Sequence, residues 1–334
     1  MRQEVFRMER VTYLDKGSKQ LEDFNLQIYR GEIMGMVPIR AHGLQAFLQL
    51  MQTNMPLYDG HVYYCGERVN SWKSTRRSVN RIGVIDAHSR LVEHMTVSDN
   101  IFVLRQGFRQ NLIKNRLLQR QLAPFMEDIG VHIPADAYVD RLSAFERVTV
   151  ELLRAVVAGY RLIVLHEIGT VINGSELGKL YEIMHHYAGQ GFSFLYISLH
   201  LEEIMEVCDR VALFSSGRIQ KVAGRAEMKS EIVQSYTIEF DKMIRYHMGR
   251  RSAAGKNKKA VLSLSHISGE VLTDFTMEVY EGECLVVQNL DEQVLRDILS
   301  VLYGDRKPKE GKLCMGGRPI RPASCRDLAL ISAD

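Results

Sequence analysis

Part of this chain is repeated, and the repeat constrains its fold more than any other feature of the sequence. The segment LEDFNLQIYRGE (21–32) recurs as LTDFTMEVYEGE (272–283), an offset of 251 residues. Two pairs of glycines keep that offset, Gly60 with Gly311 and Gly66 with Gly317. Repetition at a fixed offset predicts two copies of one domain. The second copy is expected to begin near Val261 and, in a sequence that ends at Asp334, to hold only the opening segment of the first.

Apolar runs alternate with helical patterns through the first copy. Residues 4–37 and 58–66 alternate as strands do, and residues 96–128 are helical and basic. The later segments are predicted as a helix from Ser143 to Ala158, a strand at 161–165, a helix at 175–188, a strand at 192–198, a helix at 201–207 and a strand at 210–214. Continuous apolar strands that alternate with helices indicate a buried, mainly parallel sheet.

The domain organisation follows from these patterns. We expect a first domain over residues 1–240, a basic linker without periodicity at 241–259, and a partial second domain over 260–334. The charges of the linker are interpreted as solvated.

Composition excludes several classes of protein. The 334 residues are 46% hydrophobic with a net charge of +3, which allows a sizeable core and is too weakly basic to indicate nucleic-acid binding. Five cysteines without paired spacing argue against disulfides and zinc, so no metal site is expected. The N-terminal segment lacks the apolar core of a signal peptide. No run approaches the roughly 18 apolar residues that cross a bilayer, so no direct membrane insertion is expected.

The stretch GEIMGMVPIRAHGLQAFLQLM (31–51) is patterned as a strand that ends near Val37, a break at 38–43 and an amphipathic helix. This is the order of a phosphate-binding loop. Such a loop needs several glycines, a lysine for the phosphates and a Ser/Thr hydroxyl for Mg²⁺. Here only Gly43 is present, and Leu44, Gln45 and Ala46 follow it.

Several stretches together resemble the cytosolic ATP-binding-cassette (ABC) subunits of bacterial monosaccharide importers, the ribose/galactose type with two cassettes in one polypeptide. They are LEDFNLQIYRGEI, RIGVIDAHSRLVEHMTVSDNIFV (81–103), DRLSAFERVTVELLRAVV (140–157), RLIVLHEIGT (161–170) and FSFLYISLHLEEIMEVCDRVALFSSGRI (192–219). The resemblance implies an α/β, P-loop NTPase-like cassette with a mainly parallel sheet, an antiparallel β edge and a helical subdomain at about 96–158, followed by a partial second cassette.

The resemblance also identifies the positions that would contact nucleotide, and most of them are altered. They are Pro38, Arg40, Gly43, Leu44, Gln45 and Ala46 in the phosphate loop, Ala87 at the Q-loop glutamine, Ser143 and Phe145 in the signature, His166 at the Walker B aspartate, and Leu199 at the switch histidine. Phe145 replaces a glycine where backbone must approach phosphate, so we expect it to be a steric block.

Two candidate catalytic residues remain. Glu167 stands at the position of the base that polarises water, and His200 lies one residue after the switch position. A one-residue slip would turn that imidazole away from the site. A metal or acid–base role for the pair His166–Glu167 is the alternative to a polar strand end.

The altered positions predict a pseudo-ATPase. Loss of the lysine and the Mg²⁺ ligands removes roughly 3 to 9 kcal/mol of binding free energy, about two to six decades of affinity. We therefore expect no cofactor at useful affinity, and a role in docking or regulation. The alternatives are an active transport ATPase that uses Mg-ATP in sites completed by a partner cassette, and a sensor of a non-nucleotide ligand.

The expected partners follow from the resemblance. They are a transmembrane permease or another ABC cassette, in a homo- or heterodimer, with docking through residues 81–103. A cytoplasmic location, peripheral at the inner face of the cell membrane, is implied.

Overall fold

A computed structural model describes residues 3–73, 78–102, 115–248, 259–283, 285, 287 and 292–319. The chain divides into two compact units, Met1–Glu239 and Phe240–Asp334.

The first unit alternates strands with helices along the chain. Its strands are β1 (Glu4–Asp15), β2 (Ser18–Tyr29), β3 (Ile33–Arg40), β4 (Asp59–Tyr64), β5 (Glu67–Ser71), β6 (Ile82–Asp86), β7 (Leu162–His166), β8 (Ser193–Ile197), β9 (Arg210–Ser215) and β10 (Arg218–Gly224). Its helices are α1 (Leu44–Gln52), α2 (Val97–Phe102), α3 (Asn115–Asp128), α4 (Ala144–Val157), α5 (Gly174–Gly189), α6 (Leu201–Val207) and the start of α7 (Met228–Met248).

Two sheets form this unit. The larger has the strand order β10-β9-β3-β8-β7-β6, in which only the β10–β9 pair is antiparallel. The smaller is antiparallel, with the order β2-β1-β4-β5. Crossover helices cover a parallel sheet, which explains why its strands are apolar on both faces. The predicted α/β fold, with a mainly parallel sheet and an antiparallel edge near the N-terminus, is confirmed.

One core joins the two sheets through α1. Phe24 of β2 lies with its ring centroid 5.0 Å from that of Phe47 in α1 and 6.0 Å from that of Phe214 in β9. All three rings are fully buried. The helix therefore packs its apolar stripe between the sheets, and the residues that precede it are held close to β2 and β9.

Helices α2, α3 and α4 occupy the range that the sequence assigned to a helical subdomain. Helix α4 begins after Ser143, which forms a capping box with Glu146, and its C-cap is Ala158. The helix predicted from Ser143 to Ala158 thus has those two residues as its caps. Within the basic helical range predicted at 96–128, residues 103–114 lie outside the described residues.

Helix α7 extends into the range predicted as a linker. Residues 241–259 were predicted to be a basic linker without periodicity, and α7 continues into this range as far as Met248. Residues 249–258 lie outside the described part of the chain.

The second unit contains a sheet with the order β12-β11-β13-β14, formed by β11 (Ala260–Ser268), β12 (Phe275–Tyr280), β13 (Glu310–Met315) and β14 (Arg318–Pro319). Helix α8 (Glu292–Tyr303) packs its Ile298 and Val301 into a small core with Leu264 and Leu313. This strand order corresponds to β2-β1-β4-β5 of the first unit.

The two antiparallel sheets also share details of their backbone. Gly60 has a φ of +94° and Gly311 a φ of +99°, and a Cβ on either would overlap the backbone of a bulged residue, Arg10 or His266 respectively. The bulge N–H of Arg10 donates to Asn25 Oδ1 at 2.9 Å, and that of His266 donates to Thr276 Oγ1 at 3.1 Å. The two glycines, Gly60 and Gly311, and the two acceptor residues, Asn25 and Thr276, are each separated by the 251 residues of the sequence repeat.

Candidate functional site

Most of the predicted site residues meet at the carboxyl edge of the large sheet. Arg40 ends β3, His166 ends β7, Ala87 follows β6, and Leu199 and His200 follow β8. The order β3-β8-β7-β6 makes these strands neighbours. Open α/β sheets bind ligands at this edge. The arrangement therefore places the candidate site where the fold itself would place one.

The loop before α1 is shorter than the sequence suggested. Strand β3 continues past Val37 to Arg40, and only residues 41–43 separate it from α1. Pro38 fits in a strand because β8 pairs with β3 only as far as Met36, so its missing N–H faces no partner on that side. Its neighbour on the other side is Phe214 of β9.

Gly43 has a structural role at the start of α1. Its φ of +88° is left-handed, and a Cβ there would overlap the carbonyl oxygen of Gln20 and approach the Cα of Gly217. His42 makes a further contact with β2, the strand that contains Gln20, since its Nε2 lies 3.1 Å from the carbonyl oxygen of Lys19. The turn is therefore packed directly against β2, and only glycine fits at position 43.

The residues that follow Gly43 offer no charged side chain to a ligand. Leu44 and Ala46 are buried, and Leu44 belongs to the main hydrophobic core beside Phe47. Gln45 is exposed. The position where a phosphate loop carries its lysine thus contributes an apolar side chain to the core.

Arg40 is the cationic side chain at the end of β3, and it is paired. Its Nε lies 2.6 Å from Oε2 of Glu239 on α7. The Arg40 side chain is about half exposed and that of Glu239 is mostly buried. Sequence analysis missed Glu239, because the two residues are 199 positions apart.

His166 and Glu167 lie at the end of β7 in a partly desolvated setting. His166 pairs with Asp86 of β6 and Ile197 of β8 in the parallel ladders. Burial lowers the pKa of the His166 imidazole, with Asp86 opposing the shift, so the ring is neutral near pH 7. Glu167 has a φ of +54°. Burial raises the pKa of the Glu167 carboxyl, although a hydrogen bond from the Leu199 backbone opposes that shift.

His200 lies between β8 and α6. The one-residue slip predicts that its imidazole turns away from the site, and a positive charge on the ring acts to lower the pKa of Glu167 against the larger effect of burial. His200 is the N-cap residue of α6, and its backbone N–H donates to Ser198 Oγ at 3.0 Å. Leu199 is about half exposed.

Ser143 and Phe145, which the sequence predicts to lie in the signature, stand at the start of α4, with Ser143 as its N-cap. Ser143 Oγ accepts from the Glu146 N–H at 3.2 Å, and the Ser143 N–H donates to Glu146 Oε2 at 2.8 Å. Phe145 was expected to block close approach at the surface, but its side chain is only 8% exposed. The ring turns inward because it lies on the buried face of an amphipathic helix, and Ala144 is the exposed residue.

The loop that contains Ala87 is fixed by a residue that sequence analysis did not identify. Glu151 of α4 is buried, and its Oε1 accepts from the Ser89 hydroxyl at 2.6 Å and the Arg90 N–H at 2.8 Å. Its second oxygen lies 3.5 Å from Arg154, whose guanidinium donates to the Arg90 carbonyl at 3.1 Å. The one sequence feature that could have identified Glu151 was its charge within the apolar face of the predicted helix.

A second buried carboxylate supports the turn after Glu167. Glu203 of α6 accepts from the Tyr196 hydroxyl at 2.6 Å. Gly169 approaches this carboxylate so closely that any Cβ would overlap it. The turn that carries Glu167 therefore packs against α6 through Gly169.

An open cavity of about 580 Å³ adjoins these groups, lined by Asp86, Ala87, His88, Ser89, Arg90, His166 and Glu167. Within the described ranges, no three His, Cys, Asp or Glu side chains are arranged to hold a metal ion. Likewise, among the described helices none is long and apolar enough to cross a membrane.

Comparison with known proteins agrees with this architecture. Residues 21–168 match the sequence model of the ABC transporter family. The chain is 25% identical over 317 residues to the ribose import ATP-binding protein RbsA of Clostridium perfringens strain 13, covering 91% of this chain and 60% of that protein. It is 22% identical over 338 residues to the galactose/methyl galactoside import ATP-binding protein MglA 1 of Photobacterium profundum, covering 98% of this chain and 66% of that protein. The chain thus spans less than two thirds of the length of these relatives.

Solved structures show the same fold. An ATP-binding cassette of an ABC transporter in its ADP conformation superimposes with a TM-score of 0.60 at 16% identity, over 71% of this chain and 97% of that one. The cbiO1 protein of Clostridium perfringens, part of an ABC transporter complex, gives a TM-score of 0.58 at 13% identity, over 74% and 97%. The strand order, the sequence match over 21–168 and these superpositions agree, and the chain has the fold of an ABC transporter ATP-binding domain.

Proposed function

We propose that this chain is a pseudo-ATPase of the sugar-importer type, an ABC subunit that docks to partners without efficient ATP binding or hydrolysis. The observation that carries the proposal is the position of Leu44. The residue that would stand where a phosphate loop needs its ammonium group is part of the hydrophobic core.

The other side chains at this edge of the sheet fit Mg²⁺ and ATP poorly. Arg40 is paired with Glu239 at 2.6 Å. Burial keeps His166 neutral by lowering its pKa, so it cannot replace a carboxylate that holds Mg²⁺. The Ser143 hydroxyl is engaged at the N-terminus of its own helix. Phosphoryl transfer depends on positioned cations, and Glu167 alone does not supply them.

The docking role is supported by the loop after β6. Glu151 and Arg154 connect residues 89 and 90 to α4, so the loop and the helical region are held as one piece. A rigid loop at the junction of two subdomains suits a contact with a partner protein. The names of the relatives indicate carbohydrate import, and a transmembrane permease or a second cassette is the proposed partner, at the cytoplasmic face of the membrane.

The second unit is proposed to be the opening part of a second cassette. Its strand order and the contacts of Gly311 and His266 correspond to those of Gly60 and Arg10 in the first unit. Offsets between equivalent residues support a duplicated domain. The proposal concerns the described residues alone.

ATP turnover by the purified chain tests the proposal. We expect the release of phosphate from [γ-³²P]ATP by the native chain to equal that by Glu167→Gln. We also expect no thermal shift with millimolar Mg-ATP, whereas a nucleotide at 100 times its dissociation constant would add roughly 2.7 kcal/mol. Turnover that disappears in Glu167→Gln would overturn the proposal.

A second candidate is an active ATPase whose sites are completed by a partner cassette. The observation in its favour is the desolvated setting of Glu167, where burial raises the pKa of the carboxyl. A base with a raised pKa is common in catalytic sites. Turnover that appears only after a partner cassette is added, and that Glu167→Gln abolishes, would favour this candidate.

A further inference from the structure

Helix α7 packs one face against the first unit. Met228, Ile232 and Tyr236 are buried and follow each other at intervals of four residues, so they form one stripe. Glu239 lies three residues beyond Tyr236, on the same side of the helix, and is also largely shielded from solvent. This stripe fixes which face of α7 the first unit contacts.

The stripe reaches the end of β3. Oε2 of Glu239 lies 2.6 Å from Nε of Arg40, the last residue of that strand. Arg40 immediately precedes the turn at 41–43 that leads into α1. The carboxylate of α7 therefore binds the cation that stands next to this turn.

Tyr236 belongs to the same stripe. Burial raises the pKa of the Tyr236 hydroxyl to about 12, and the charge of Glu167 adds to that shift. The segment of α7 that holds Tyr236 and Glu239 thus lies at the carboxyl edge of the large sheet, where Glu239 is paired with the last residue of β3.

We propose that α7 is an intramolecular cover for the carboxyl edge of the large sheet, fastened by the ion pair between Glu239 and Arg40. Ligands of open α/β sheets bind at that edge, and a carboxylate of the chain itself is paired there with the neighbouring cation. The cover is inferred from these contacts. The further idea that the Glu239 carboxylate takes the place of a phosphate group beside Arg40 rests on the proposed loss of ATP binding.

The cover is weakly fastened. A half-exposed ion pair contributes little to stability, roughly 0 to 1 kcal/mol. Removal of the ion pair is therefore expected to loosen residues 232–239 of α7 without unfolding the first unit. A partner that competes for Arg40 could displace Glu239.

A charge swap tests the cover in the full chain. The variants are Arg40→Glu, Glu239→Arg and the double variant that exchanges the two charges. Lys229→Gln is the matched control, because Lys229 lies on the exposed face of the same helix. Amide hydrogen exchange of residues 232–239 is the readout, and circular dichroism verifies that each variant folds.

Each single variant is expected to accelerate exchange in this segment roughly two- to five-fold, and the double variant to restore the native rate. Equal exchange in the single variants and in Lys229→Gln would overturn the proposal. So would a double variant whose acceleration is the product of the two single effects.

Mg-ATP titrated into Glu239→Gln separates this inference from the proposed function. No binding is expected, because opening the cover restores neither a lysine nor a Mg²⁺ ligand. Binding to Glu239→Gln but not to the native chain would support the cover, while overturning the view that lost side chains alone prevent nucleotide binding.

Discussion

The Ser89 hydroxyl donates a 2.6 Å hydrogen bond to Glu151, a carboxylate buried within α4. The two residues are 62 positions apart, and this bond fixes the loop after β6 to the helical region. Carboxylates are rarely buried unless several donors satisfy them. Here the Arg90 N–H donates to the same carboxylate oxygen, and the Arg154 guanidinium lies 3.5 Å from the second one as an ion pair.

Replacement of Glu151 should free this loop. Glu151→Ala removes the acceptor of two hydrogen bonds and leaves Arg154 without its carboxylate, so we expect a loss of roughly 1.5 to 3 kcal/mol of unfolding free energy. Fluorescence of Trp72, the single tryptophan of the sequence, follows the unfolding of the first unit in urea. Glu182→Gln on the exposed face of α5 is the control and should change little. Equal midpoints for the two variants would contradict a structural role for Glu151.

Gly43 should tolerate no side chain even if no ligand binds beside it. Gly43→Ala forces a Cβ against the Gln20 carbonyl at a left-handed φ, which should cost roughly 1 to 3 kcal/mol or more. Gly178→Ala is the matched control. It lies inside α5 with open space around it, so the same change should stabilise by roughly 0.5 to 1 kcal/mol. Thermal unfolding of both variants gives the comparison, and a Gly43→Ala protein as stable as the native chain would refute the contact.

The Glu167 carboxyl should lower stability at neutral pH. Its folded pKa is raised above the ordinary 4.5, so the folded protein binds this proton more tightly than the unfolded chain does. Stability therefore falls as pH rises through the interval between the unfolded and folded pKa values. We expect Glu167→Gln to be more stable than the native chain at pH 7.5, with a difference that shrinks towards pH 4.5. Urea unfolding at several pH values measures this difference in unfolding free energy. The contribution of His166 cancels from the difference because both proteins contain it. A constant difference would contradict the shift.

Gly60 and Gly311 should respond alike to substitution. Each has a φ above +90° and contacts the backbone of a bulged residue, so alanine at either position should cost roughly 1 to 3 kcal/mol. Hydrogen exchange should place each effect in its own unit. Gly66→Ala and Gly317→Ala have positive φ but open space, and should cost less. Unequal effects at Gly60 and Gly311 would argue against equivalent sheets.

Elements with a local signal were predictable from the sequence. The start of α4 was visible because Ser143 and Glu146 have capping-box spacing before an apolar helix. Strands β7, β8 and β9 of the large sheet were visible as apolar runs, because a parallel sheet is buried on both faces, whereas β6 and the largely exposed β10 were not predicted. The end of β3 was not, since Pro38 normally interrupts a strand and only the early departure of β8 makes room for it.

The contacts that shape the candidate site depend on distant residues. Arg40 with Glu239, and Ser89 with Glu151, join segments that no local pattern connects. Sequence reasoning therefore located the edge of the sheet but not the residues that cover or support it.

Ser143 caps α4, and this structural role gives a reason to keep the serine that does not depend on ATPase activity. A capping serine typically contributes about 1 kcal/mol to its helix, so its loss would weaken α4 whether or not a phosphate ever approached it. Natural selection could retain this hydroxyl for folding alone. A surviving signature serine in a divergent cassette is therefore no measure of how recently that cassette turned over ATP.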